Sequence, residues 1–142
     1  MPSKNVKIDV TVLVEKLYNG GAVDECCTIS DDNGGRTPTG KPEQFKSKVY
    51  KAKKVTWEAT RSGENANQYD LDLVSIDFKS GTSLFSSKSL KAGANGKVVG
   101  TVESSVQVGD SESYTIKFSI TAKKADTKPF EIDPDLDVEG EG

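Results

Sequence analysis

The fold is decided by residues 114–121, which read Tyr-Thr-Ile-Lys-Phe-Ser-Ile-Thr. Large apolar side chains occupy every second position, and hydroxyl or lysine side chains occupy the positions between them. Because successive side chains of a β-strand point to opposite faces, this alternation predicts a strand with one buried face. That face needs a second layer to pack against. The alternation resumes downstream at Phe130, Ile132, Leu136 and Val138.

The beginning of the chain follows the same rule. Residues 6–14 place valine and isoleucine at every second position, which predicts another half-buried strand. Asn19-Gly20-Gly21 then supplies the positive φ angles of a tight turn. We therefore expect a hairpin in which residues 22–30 return antiparallel.

The middle of the chain contains the one tryptophan. Trp57 alternates with Val55 and Ala59, and this pattern predicts a strand that buries the indole in the core. Further on, the apolar phase shifts by one position between Leu73 and Val74. A β-bulge would produce such a shift.

These patterns favour an all-β protein, because no segment keeps a helical period for three turns and no internal repeat is present. The length of 142 residues fits one domain, residues 1–142. We predict an immunoglobulin-like β-sandwich of about seven or eight antiparallel strands. A small β-barrel is the alternative. Residues 139–142 are expected to form a disordered acidic tail end.

Two stretches carry a resemblance to a known family. Residues 114–120, followed by Phe-Glu-Ile-Asp-Pro at 130–134 and a short acidic end, resemble the last two strands of small bacterial immunoglobulin-like proteins of the DP-EP type. The Val-Thr-Trp-Glu run that ends at Glu58 is similar in character to their mid-chain strands. The chain departs from that pattern by ending in Glu-Gly-Glu-Gly with no second proline. The resemblance implies an immunoglobulin-like fold and a bacterial source, and it implies no activity.

The residue types present exclude most catalytic chemistry. The chain has no histidine, which removes Ser-His-Asp and Cys-His arrangements and most zinc and copper sites. Cys26 and Cys27 are adjacent in a predicted strand, so we expect one thiol to be buried and the other to lie near the surface. The neighbouring Asp24 and Glu25 would disfavour a thiolate. We predict free thiols, no catalytic residues and no enzymatic activity.

Acidic residues offer two further kinds of site. Asp70 and Asp72 project from one face of a predicted strand, as a glycosidase carboxylate pair would, but alternation alone also requires polar residues there. The spacing of Asp133, Asp135 and Asp137 presents hard oxygen ligands of the kind that Ca²⁺ prefers. The glycine that an EF-hand loop requires at its sixth position is absent, so we expect no metal and no cofactor.

Charge is distributed unevenly along the chain. The last fourteen residues contain six acids and no lysine or arginine, although the whole chain has a net charge of only −3. One basic cluster lies near aromatic residues and consists of Lys46, Lys48, Lys51, Lys53 and Lys54. Such a cluster could bind nucleic acid, but it also fits an edge strand that is protected from aggregation by charge. We favour the edge strand and predict no nucleic-acid partner.

These features together favour a binding or assembly module. No apolar run is long enough to cross a bilayer and no signal region is visible, so we expect a cytoplasmic protein without a membrane partner. The acidic closing segment contains Pro134, which favours an edge position where a second copy could dock. The alternative is a calcium- or carbohydrate-binding adhesion module, which would require exposed aromatic residues or a metal site.

Overall fold

A computed structural model describes residues 4–33, 45–93, 95–123 and 125–139. These residues contain ten strands, and the prediction of an all-β fold is confirmed. The strands are β1 (Val6–Leu13), β2 (Cys27–Asp31), β3 (Lys46–Val49), β4 (Lys54–Ser62), β5 (Tyr69–Gly81), β6 (Ser89–Lys91), β7 (Val98–Thr101), β8 (Ser111–Ala122), β9 (Thr127–Ile132) and β10 (Asp135–Val138). Two short helices, α1 (Val14–Tyr18) and α2 (Val23–Cys26), and a 3-10 turn at Ala66–Gln68 complete the described elements.

The strands form two mixed sheets. One has the order β2-β1-β4-β7, and the other has the order β3-β10-β8-β5-β6, with β9 also paired to β8. The expectation of seven or eight strands, all antiparallel, was wrong in two respects: ten strands are described, and the pairs β1–β4 and β3–β10 are parallel. The parallel pairs arise because the chain passes through the other sheet between the two strands of each pair. The sequence could not show this, since side-chain alternation does not reveal whether a neighbouring strand runs parallel or antiparallel.

The two sheets pack face to face around one hydrophobic core. Trp57 is fully buried, which confirms its predicted place. Its ring makes edge contacts with Tyr114 and Phe85, at 5.7 and 5.8 Å between ring centroids. Its indole N–H donates a hydrogen bond of 3.2 Å to the hydroxyl of Tyr114 in the opposite sheet. The aromatic cluster therefore ties the sheets together and satisfies the polar atoms that it buries.

The connection between β1 and β2 differs from the predicted tight hairpin. The strands are antiparallel as expected, but α1 and α2 lie between them. Asn19-Gly20 ends α1, with Gly20 at φ +104°. A Cβ atom on Gly21 would lie 2.7 Å from the carbonyl oxygen of Lys16, so only glycine fits where the two helices meet. A helix of five residues is too short to show a helical period in the sequence.

The predicted bulge in β5 is confirmed. The register with β8 shifts between Leu73 and Ser75, which leaves Val74 as the extra residue. Val74 is exposed, whereas Leu73 and Ile76 on either side point into the core. A second shift lies between Phe78 and Ser80.

The acidic closing segment divides into two strands with different surroundings. Strand β9 pairs only with β8 and lies at an edge, but β10 lies between β3 and β8. The expectation of an edge position was therefore wrong for β10, because β3 covers it. Pro134, which lacks an N–H, falls between the two strands, and its carbonyl accepts a hydrogen bond from Tyr114. The N–H of Glu139 donates a hydrogen bond of 2.9 Å to the carbonyl of Val49. The rest of the expected disordered tail end, residues 140–142, lies outside the described residues.

Candidate functional site

The calcium candidates are engaged by neighbouring side chains. Asp133 accepts hydrogen bonds from the Thr115 hydroxyl at 2.6 Å and from the Lys79 amine at 3.3 Å. Asp135 accepts one from the Ser113 hydroxyl at 2.7 Å. Asp137 lies two residues further along the outer face of β10. Within the described ranges, no group of three or more acidic or cysteine side chains is arranged to hold a metal ion.

The other acidic candidates lie along strand β5. Asp70 and Asp72 are exposed on the outer face of β5. Asp77, on the same strand, is partly buried and accepts hydrogen bonds from Ser89 and Lys117 at 2.6 and 2.9 Å. Burial acts to raise the pKa of Asp77, but these hydrogen bonds outweigh it and hold the pKa below its ordinary value. Asp77 therefore lacks the raised pKa of a general acid.

Both cysteines are free and buried. The expectation that one would lie near the surface was wrong, because Cys26 ends α2 and only Cys27 belongs to a strand. Burial raises the pKa of Cys26 and raises that of Cys27 to about 12. Both side chains are protonated at neutral pH and act as small apolar residues.

Neither carbohydrates nor nucleic-acid bases would find an exposed aromatic platform here. All ten aromatic residues of the chain lie within the described ranges, and each is buried or half-buried. The three aromatic residues nearest the lysine cluster, Phe45, Tyr50 and Trp57, are in the core. The cluster is thus a solvated basic surface without a stacking face.

Among the strands that the structure describes, the lysine-bearing β3 forms one edge of the larger sheet, as the charge pattern predicted. Lys46 and Lys48 are exposed on the outer face of β3, whereas Ser47 and Val49 are buried. The carbonyls of Phe45 and Val49 accept hydrogen bonds from the β10 side, so alternation directs the backbone of Lys46 and Lys48 away from the sheet. On that outer side the Asn33 amide donates a hydrogen bond of 3.1 Å to the Lys48 carbonyl, and the Lys48 amine lies 4.0 Å from the Glu139 carboxylate. The backbone of Lys46 has no such contact among the described residues. We call β3 with its two outer lysines the lysine edge.

The opposite side of the sandwich is open over half of its length. Strand β7 pairs with β4 only as far as Trp57, and β6 pairs with β5 only from Ser75 to Asp77. Residues 58–62 of β4 and 69–73 of β5 consequently have a strand partner on one side only, in the part of the chain that the structure describes. We call these two stretches the open flank. A cleft of about 370 Å³ lies along it. Its lining includes the apolar side chains of Ala59, Leu71 and Leu73 and, from the turn before β7, residues 95–97.

Unpaired backbone groups face this open flank. Just before β4, the carbonyl of Lys53 accepts a hydrogen bond from Val102 beside β7, so alternation along β4 directs the N–H and C=O groups of Ala59 and Arg61 to the same side. Just before β5, the carbonyl of Gln68 faces β8, where Lys123 donates to it, so the backbone of Leu71 in β5 faces away from β8. The Arg61 guanidinium donates to the Tyr69 carbonyl at 2.8 Å and bridges the two sheets at the end of the flank.

The charges along the open flank are partly unpaired. Glu58 lies between Lys97 and Lys7, at 2.5 and 2.9 Å, and hydrogen bonds from these two amines lower the pKa of its carboxyl. Asp70 and Asp72 form no ion pair with any described residue. The flank thus combines apolar side chains, unpaired backbone groups and two uncompensated negative charges. Sequence reasoning missed it because it depends on the lengths of β6 and β7.

A larger cleft, of about 680 Å³, lies between α1 and the turn after β4. Its rim includes Glu15, whose carboxylate already accepts hydrogen bonds from the Asn65 amide at 3.0 and 3.3 Å. Lys16, also on the rim, lies 3.8 Å from Glu25. The two charged side chains on this rim, Glu15 and Lys16, are thus already engaged by neighbouring residues.

Comparison with known proteins supports the fold and adds no assigned activity. No protein-family model matches the sequence, and no curated protein matches it. The structure is similar to the crystal structure of the inclusion body protein PixA from Burkholderia cenocepacia, with a TM-score of 0.70, 11% identity and 97% of each chain covered. The bradyzoite-specific antigen BSR4 of Toxoplasma gondii aligns with a TM-score of only 0.31 at 7% identity, over 99% of this chain and 51% of that chain. Neither helix among the described residues is long and apolar enough to span a membrane.

Proposed function

We propose that this protein is a non-enzymatic assembly module, which associates with other copies of itself by adding strands to its sheets. The observation that carries the proposal is the open flank, where two neighbouring strands, one in each sheet, present unpaired backbone groups beside an apolar floor. Unpaired strand edges are templates for pairing with another chain. The buried thiols and the absence of histidine support a role without catalysis.

The structural neighbour is consistent with this role. PixA is described as an inclusion body protein, and its fold aligns with nearly the whole of this chain. The likeness at 11% identity concerns the fold alone. PixA is nevertheless an example of a similar sandwich in a protein that is named for inclusion bodies. The bacterial immunoglobulin-like resemblance of the closing strands remains a prediction.

Sedimentation velocity over a dilution series tests the proposal. We expect monomers in dilute solution and larger species as the concentration rises, because a short strand pairing is weak and obeys mass action. Increased salt is expected to reduce the association, since the exposed aspartates of the open flank and the exposed lysines of the lysine edge carry opposite charges. A monomer at every concentration up to the solubility limit would contradict the assembly function.

A further inference from the structure

The two edges of the larger sheet carry complementary charge patterns. At one edge, Lys46 and Lys48 project from the outer face of β3. At the other, Asp70 and Asp72 project from the outer face of the open part of β5. Both pairs have the two-residue spacing that places their side chains on a single face of a strand.

The direction of the strands makes these two edges compatible. Strand β3 is parallel to β10, β10 is antiparallel to β8, and β8 is antiparallel to β5. It follows that β3 and β5 run in the same direction. A second copy, translated along the sheet without being turned over, would place its β3 parallel to β5 with both outer faces on the same side.

We propose that the lysine edge of one copy pairs with the β5 stretch of the open flank on the next copy, so that the larger sheet continues from molecule to molecule. This inference rests on the proposed assembly function and specifies its interface. Residues 46 and 48 then lie beside residues 70 and 72, and each lysine faces an aspartate. The backbone of Leu71 gains the partner that the short β6 does not provide.

The charges also disfavour the competing symmetric contacts. Pairing of β5 with β5 of a second copy would place Asp70 and Asp72 beside their own counterparts, and pairing of β3 with β3 would do the same with lysines. Like charges on neighbouring strands are destabilising. The favoured contact joins different surfaces of the two copies, and such a contact produces rings or open filaments and not closed dimers.

Charge reversal at both edges provides the test. One variant carries Asp70→Lys and Asp72→Lys, and a second carries Lys46→Asp and Lys48→Asp. The control is Lys51→Asp with Lys53→Asp, which makes the same charge change as the second variant, at the same spacing but outside the strands. Because none of the altered side chains is buried, circular dichroism melts should show that all three variants fold.

Sedimentation velocity gives the expected pattern. Each edge variant alone should need about tenfold more protein than the wild type to assemble, since like charges at an interface are repulsive. The control should assemble like the wild type. An equimolar mixture of the two edge variants should recover assembly, because every contact in an alternating array again joins lysine to aspartate.

The outcomes separate this interface from assembly itself. If the wild type assembles but the edge variants assemble equally well, or if their mixture behaves no better than either one, the proposed pairing is overturned while self-assembly stands. The neutral variants Asp70→Asn/Asp72→Asn and Lys46→Gln/Lys48→Gln provide a second measurement. At low salt, these neutral variants should need about threefold more protein than the wild type to assemble. If their assembly depended on salt as strongly as that of the wild type, the proposal would also be overturned.

Discussion

At the scale of single residues, Glu112 is the least expected feature of the core. It lies on the inner face of β8, is only 2% exposed, and accepts a hydrogen bond of 2.8 Å from the N–H of Leu84. Burial raises the pKa of its carboxyl, and the bond from Leu84 opposes this only in part. Glu112 therefore attaches the segment that follows β5 to strand β8 through this hydrogen bond. When its carboxyl is ionised, the buried negative charge destabilises the folded state.

This arrangement predicts a pH-dependent stability. Because the pKa of Glu112 is raised in the folded state, its contribution to stability is fully present below the unfolded pKa and is lost as the pH rises through the folded pKa. Glu112→Gln keeps an acceptor for Leu84 and cannot ionise. In urea melts, its stability relative to the wild type should be greater at pH about 7 than at pH about 4.

Glu112→Ala is the matched control for that experiment. It removes the acceptor and should lower the free energy of unfolding by about 1–3 kcal/mol through the unsatisfied Leu84 N–H. A Gln variant whose stability relative to the wild type does not change with pH would show that Glu112 titrates alike in the folded and unfolded chains.

Some residues could be placed from the sequence and others could not. The burial of Trp57 could be predicted because it shares the apolar face of an alternating strand. The bulge at Val74 could be predicted because the apolar alternation shifts by one position within a single strand. The burial of Glu112 was not visible. From the sequence, an acidic residue just before an alternating run indicates an exposed position at the strand terminus. Glu112 is buried because a distant segment, which contains Leu84, packs over it.

At the scale of elements, the predicted edge position was wrong for strand β10. It carries acidic residues on its outer face and follows a proline, both of which indicate an edge. The structure places β3 beside it, and the parallel pair makes β10 an interior strand. The sequence shows which face of a strand is buried, but it does not show which strand lies next to which.

The interior position of β10 predicts unequal effects of two neighbouring substitutions. Leu136 is fully buried, so Leu136→Ala should lower the free energy of unfolding by about 2–5 kcal/mol. Asp137 lies on the outer face, so Asp137→Ala should change it by no more than about 0.5 kcal/mol. Urea melts of both variants check this, and similar midpoints would mean that β10 is not part of the packed sandwich.

At the scale of the whole molecule, opposite charges lie at opposite edges of one sheet. The sequence showed a lysine cluster that favours an edge strand, and β3 is such an edge. The facing edge could not be predicted, because Asp70 and Asp72 resemble any solvated strand face until β6 is seen to end beside them. The proposed self-association by strand addition therefore depends on how the strands are arranged in the sandwich and not on one sequence motif.

Amide hydrogen exchange at Leu71 is the most direct measurement of this central claim. The N–H of Leu71 faces the open flank, whereas alternation directs those of Asp70 and Asp72 toward β8. We predict that Leu71 exchanges rapidly in dilute solution and slowly at concentrations where the protein assembles, while Asp70 and Asp72 are protected throughout. Assembly with no change in the exchange of Leu71 would contradict strand addition at this flank.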